Sequence, residues 1–187
     1  MKLDDRHRAI ANDVLLGVGM FIVGVGSATV WWDAGTAETR PTDIWAYGLI
    51  GMQTRPLIWR RRAPGPVLAI TVLGLLIDRG LNYPASWAVF GVTVAMYTVG
   101  ALVEPRRSLL IGGITIDIVL LWTVVGIFVY DVEPLALVSE IAFLGFPLLL
   151  GRETYHRQQR MVALESRAVR AELEREQRAA EAVVQER

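Results

Sequence analysis

From residue 135 to its end the chain changes character without a break. Residues 135–150 are almost wholly apolar and residues 152–187 are charged, yet no proline follows Pro147 and no glycine follows Gly151. A helix leaving a bilayer at Leu150 therefore meets nothing that would stop it, because proline and glycine are the residues that end helices. At about 1.5 Å per residue such a helix reaches roughly 50 Å past the hydrocarbon. The expected organisation is a membrane domain over residues 1–151 and a cytoplasmic signalling helix, or linker, over residues 152–187.

Composition fits that division. Hydrophobic residues make up 53% of the chain, mean hydropathy is +0.39, and 19 basic residues balance 19 acidic ones. The balance hides two unlike parts, since aromatics vanish after Tyr155 while basic and acidic residues alternate there. Acids offset the tail arginines, so no nucleic-acid partner is expected. The chain has no cysteine, which excludes disulfides, thiolate metal sites and cysteine nucleophiles. Two isolated histidines, His7 and His156, make no metal site. Glycines such as Gly17, Gly19, Gly24, Gly26, Gly112 and Gly113 fall inside apolar runs, where close helix packing explains them better than a phosphate loop.

Read along its length, the chain predicts an all-α polytopic membrane bundle of six spans. The first runs over about residues 13–32, and the second starts near Ile44 and ends at Arg55 and the cluster Trp59, Arg60, Arg61, Arg62. The third is short, about 67–77, the fourth covers about 85–103, the fifth about 109–130, and the sixth begins near Leu135. Because the second and third are short, and the second carries Gln53 and Arg55, re-entrant segments giving four or five spans are the alternative. Placing Lys2, Arg6, Arg8, Arg55, Arg60, Arg61, Arg62, Arg106, Arg107 and the tail on one side leaves only Arg40 and Arg79 on the other. By the positive-inside rule both termini are then cytoplasmic. Trp31, Trp32, Trp45, Tyr83, Trp87 and Tyr130 fall near the outer interface, Trp59 and Tyr155 near the inner one.

Several separated motifs carry a resemblance. These are Trp59 to Pro64 (Trp-Arg-Arg-Arg-Ala-Pro) with the apolar run after it, Asn82-Tyr83-Pro84, Met96-Tyr97-Thr98-Val99 with Arg106 and Arg107 closing the span, and the charged tail. Together they resemble the N-terminal membrane sensor region of bacterial DesK/NarX-like two-component sensor histidine kinases. The resemblance implies a homodimer in the bacterial plasma membrane, and a tail that leads into a dimerisation and phosphoacceptor domain. That kinase core would bring ATP and Mg and meet a response regulator. None of it lies within these residues, so no cofactor and no enzymatic activity are expected of them.

Read in heptads, the tail offers a seam of Tyr155, Val162, Val169, Leu173, Ala180 and Val183, interrupted by Gln159, Ser166 and Glu176. A weak seam still pairs when membrane spans hold two copies close, and its polar positions allow two packings of similar energy. A single solvated helix is the plain alternative. Four intramembrane polar residues are candidate sites: Asp117, Glu140, Arg55 and Gln53. A carboxylate inside a bilayer costs about 2.5–3.5 kcal/mol on insertion scales, so it should find a partner. Arg55 is the expected partner of Asp117, and Arg79 or Tyr83 that of Glu140. Each pair reads either as a polar lock or sensor, or as an ordinary structural bond between spans. Bilayer thickness is a further candidate input, given the short second and third spans.

The leading expectation is thus a non-catalytic signal-input domain that relays a membrane or envelope stimulus to a kinase core. The rival is a stand-alone polytopic membrane protein, a scaffold or a transporter subunit using Asp117 and Glu140.

Overall fold

The computed structural model describes residues 3–30, 40–84, 86–130 and 132–185, and every regular element among them is helical. Six α-helices follow one another: α1 (Leu3–Val30), α2 (Ile44–Thr54), α3 (Pro64–Gly80), α4 (Phe90–Leu102), α5 (Pro105–Tyr130) and α6 (Leu135–Gln185). Short 3-10 turns, Arg55–Trp59 and Trp87–Val89, lead out of α2 and into α4. Among the described residues, three stretches are long and apolar enough to cross a membrane: Ala11–Thr29, Pro105–Val129 and Leu135–Glu172. The expected anchors Trp31 and Trp32 lie outside the described residues, as does the side chain of Tyr130.

Local chemistry accounts for several boundaries. Asp43 caps α2, its carboxylate accepting from the backbone amides of Trp45 and Ala46 at 3.0 and 3.1 Å. Pro64 opens α3 where a missing N–H costs nothing. Asn82, at φ 56°, turns the chain back after α3, a left-handed position that asparagine tolerates better than most residues. The second span is accordingly shorter than its sequence suggests, since α2 stops at Thr54 before Pro56. α3 extends beyond the expected 67–77 at both ends because Pro64 is a helix opener rather than a breaker.

α4 is the central helix. Val92, Ala95, Met96 and Val99 are almost fully buried, and they meet Leu68, Val72 and Leu75 of α3, Val119 of α5, and Leu144 and Leu148 of α6. The most extensive contact in the bundle is between α4 and α6. Its closest point is glycine on glycine: a Cβ added at Gly100 would stand 2.5 Å from the Leu148 carbonyl oxygen and 3.0 Å from the Arg152 amide, and one added at Gly151 would overlap the Tyr97 carbonyl. Any side chain there would force the helices apart, so the two backbones touch because neither residue has one. Gly112, on α5, instead receives the side chain of Leu148.

α6 is the element that sets the shape of the molecule. It runs 51 residues with Pro147 inside it and no interruption at Gly151. Of the side chains described beyond Arg152, which reach residue 174, nearly all are exposed, so this part of the helix stands clear of the bundle as a rod.

Candidate functional site

At the end of the bundle away from the rod, α3, α5 and the start of α6 enclose a cavity of about 360 Å³. Arg79, the penultimate residue of α3, crosses it to Glu140 of α6, Nη1 donating to Oε1 at 2.6 Å. The carboxylate is the better hidden of the two, its side chain 11% exposed against 35% for the guanidinium. Trp122 and Thr123 of α5 form the facing wall, with the indole of Trp122 laid against Gly80. Tyr83 closes the side next to the α3 turn.

Tyr83 links this cavity to the cap of α2. Its hydroxyl donates to Asp43 at 2.7 Å, and Arg40 both pairs with Asp43 at 3.0 Å and lies over the Tyr83 ring, 5.1 Å from its centroid. The Tyr83 hydrogen bond, the two helix amides and Arg40 hold the Asp43 carboxyl below the usual aspartate range, against an opposing effect of partial desolvation. Burial, and then the same hydrogen bond, push the Tyr83 phenol up.

The structure disposes of the sequence candidates differently. Glu140 has Arg79, one of its two expected partners. Asp117 and Arg55 are not partners: Asp117 is exposed on the outward face of α5, and Arg55 lies over the ring of Phe21, 5.3 Å from its centroid. The reason is local. Arg55 starts the 3-10 turn, which swings its side chain toward α1, and Gly112, Thr115 and Val119 turn the opposite face of α5 inward. Gln53 is 1% exposed, and neither polar atom of its side chain is hydrogen-bonded among the described residues. Of the seam, Val162 and Val169 are exposed at 62% and 56%, and Tyr155 is half-buried. Leu173, Ala180 and Val183 belong to α6, but their side chains lie outside those described.

One cluster escaped the sequence reading. Asp13 of α1, buried at 3%, accepts from Arg60 through Nε and Nη2 at 3.0 and 2.8 Å, and from Arg61 at 2.7 Å. The available signal was a carboxylate at the foot of an apolar run with a triple arginine two segments later. Among the described residues, no group of three His, Asp or Glu could hold a metal ion.

A family model, domain of unknown function (DUF7134), matches residues 4–152. The chain belongs to the DUF7134 family. The DUF7134 match takes in the whole helical bundle and stops one residue past the Gly151 crossing, so the exposed part of α6 lies beyond it. No curated protein and no solved structure matches the chain.

Proposed function

We propose that this chain is the signal-input region of a membrane sensor, of the kind that feeds a DesK/NarX-like histidine kinase core. In this reading all six helices traverse the bacterial plasma membrane, both termini are cytoplasmic, and two copies pair along the rod. The observation that carries it is the continuity of α6: one helix has Glu140 in the distal cavity at its start, the glycine crossing with α4 in its middle, and a free, exposed rod at its end. Rearrangement of the Arg79–Glu140 pair would reach the rod through a single stiff element, without crossing a loop.

No residue here performs chemistry on a substrate. The role of the domain is to bias a two-state helix pair, which needs only a differential interaction with the two states. ATP and Mg belong to the kinase core and the response regulator meets that core alone.

A chimera tests the reading. The full chain, joined in heptad register to a histidine kinase core and placed in liposomes, is expected to change its autophosphorylation from ATP at least threefold when Glu140 is replaced by Gln. A four-residue insertion after Arg160 should shift it again by rotating the seam. Output indifferent to both changes would overturn the proposal.

A further inference from the structure

Where the rod leaves the bundle, two cavities share a wall. The first, about 190 Å³, is rimmed by polar groups: Arg60 and Arg61 just after the 3-10 turn, Tyr97 and Thr98 of α4, Thr154 and Gln158 of α6. The second, about 310 Å³, shares Arg60 and Tyr97 with it and is otherwise walled mainly by Leu16, Val94, Phe146, Pro147 and Leu150. A polar chamber thus opens directly onto an apolar groove between α4 and α6.

Charge in the polar chamber is not balanced. Asp13 supplies one carboxylate to two guanidiniums, taking both Nε and Nη2 of Arg60 and Nε of Arg61. Arg61 remains 52% exposed, with further donors beyond the one that Asp13 engages. The Tyr97 and Thr154 hydroxyl oxygens lie 3.3 Å apart across the same chamber. With the Thr154 hydroxyl donating to the Leu150 carbonyl at 3.0 Å, the uncommitted donors are those of Arg61, and an excess guanidinium suits phosphate oxygens, which it binds with high geometric specificity.

We propose that these two cavities are one seat for an anionic phospholipid of the leaflet on the rod side. Its phosphate lies against Arg61, and one acyl chain lies in the groove beside Pro147. A free phosphate shares the headgroup chemistry but leaves the apolar groove without an occupant; a lipid uses both halves. Because its contacts come from the arginine turn, α4 and α6 together, the bound lipid ties the first turns of the rod to the body. That regulatory consequence rests on the signalling function proposed above, whereas the binding itself does not.

The test uses the purified full chain in neutral micelles, with retained lipid read by native mass spectrometry. Phosphatidylglycerol is expected to stay bound at least tenfold more than phosphatidylcholine. Arg61→Gln, which leaves the Arg60–Asp13 contact intact, should reduce retention at least tenfold, and Arg61→Lys, which keeps the charge but not the planar fork, should restore only part of it. Val94→Trp, which fills the groove and leaves Arg61 in place, should reduce retention of the lipid but not binding of inorganic phosphate. Equal retention of the two lipids, or retention unchanged in Arg61→Gln, would overturn the seat. Inorganic phosphate that competes as strongly as the lipid, with Val94→Trp neutral, would overturn the lipid assignment. Spin labels at Val162 and Val169 separate the two ideas: lipid retained with unchanged label distances removes the regulatory consequence alone.

Discussion

At Asp43, four donors converge on one carboxylate: two helix amides, the Tyr83 hydroxyl and Arg40. Its folded pKa is lowered, first by the Tyr83 hydrogen bond, so its contribution is fully present above the unfolded value of about 3.9 and is lost as pH falls through the lower folded value. Thermal unfolding in micelles should therefore show stability falling below about pH 4, and Asp43→Ala should both lower the midpoint at neutral pH and flatten that acid limb. Asp43→Asn, which keeps a cap and loses the charge, should fall between the two.

The other carboxylates divide by whether they have partners. Glu140→Ala leaves Arg79 unpaired in a half-enclosed cavity and is expected to cost about 1–3 kcal/mol. Asp117→Asn, at an exposed position with no hydrogen bond or ion pair among the described residues, removes a charge from the outward face of a helix apolar enough to cross a membrane and should not destabilise the fold. Equilibrium unfolding of both variants beside the wild type checks the contrast. This difference was only half legible in the sequence. Arg79 and Glu140 sit at matching depths on neighbouring segments, which depth alone can suggest. The phase of α5 could not be read, because that helix is apolar nearly all round and has no stripe to show which side turns inward. Asp13 was lost for another reason: its partners come 47 residues later, and only the packing of α1 on the arginine turn brings them together.

Among the elements, α6 was the most legible and α2 the least. After Gly151 an uninterrupted run of good helix formers needs no tertiary information to stay helical, whereas the passage through Pro147 and Gly151 is made where α6 packs against α4. α2 is set instead by Pro56 and by the 3-10 turn after it, which shorten the segment and redirect Arg55. The pairing of α4 with α6 shows what sequence spacing leaves out. Gly100 and Gly151 are unremarkable glycines in their own helices, and only their meeting makes each one indispensable. Gly151→Leu should force the crossing open at a cost of about 1–3 kcal/mol, the usual range for overpacking. Gly113→Ala, with open space where its Cβ would stand, should be nearly neutral. Helix-to-helix spin-label distances on α4 and α6, measured with unfolding, will show whether separation and destabilisation arrive together.

For the molecule as a whole, the rod carries exposed apolar side chains. Met161, Val162, Leu164 and Val169 are more than half exposed on a helix that stands clear of its own bundle. The chain has no cysteine, so single cysteines can be introduced without altering a background. If two copies meet on the heptad seam, Val162→Cys and Val169→Cys should cross-link between chains several-fold faster than Leu164→Cys. Equal rates around the helix would leave the rod unpaired. The glycine crossing gives this arrangement a mechanical ratio. Glu140 lies 11 residues before Gly151 and Gln185 lies 34 after it, so the crossing acts as a fulcrum with a short arm of about 16 Å and a long one of about 51 Å. Tilting α6 as a body about that point would carry its free end about three times as far as its carboxylate, in the opposite direction.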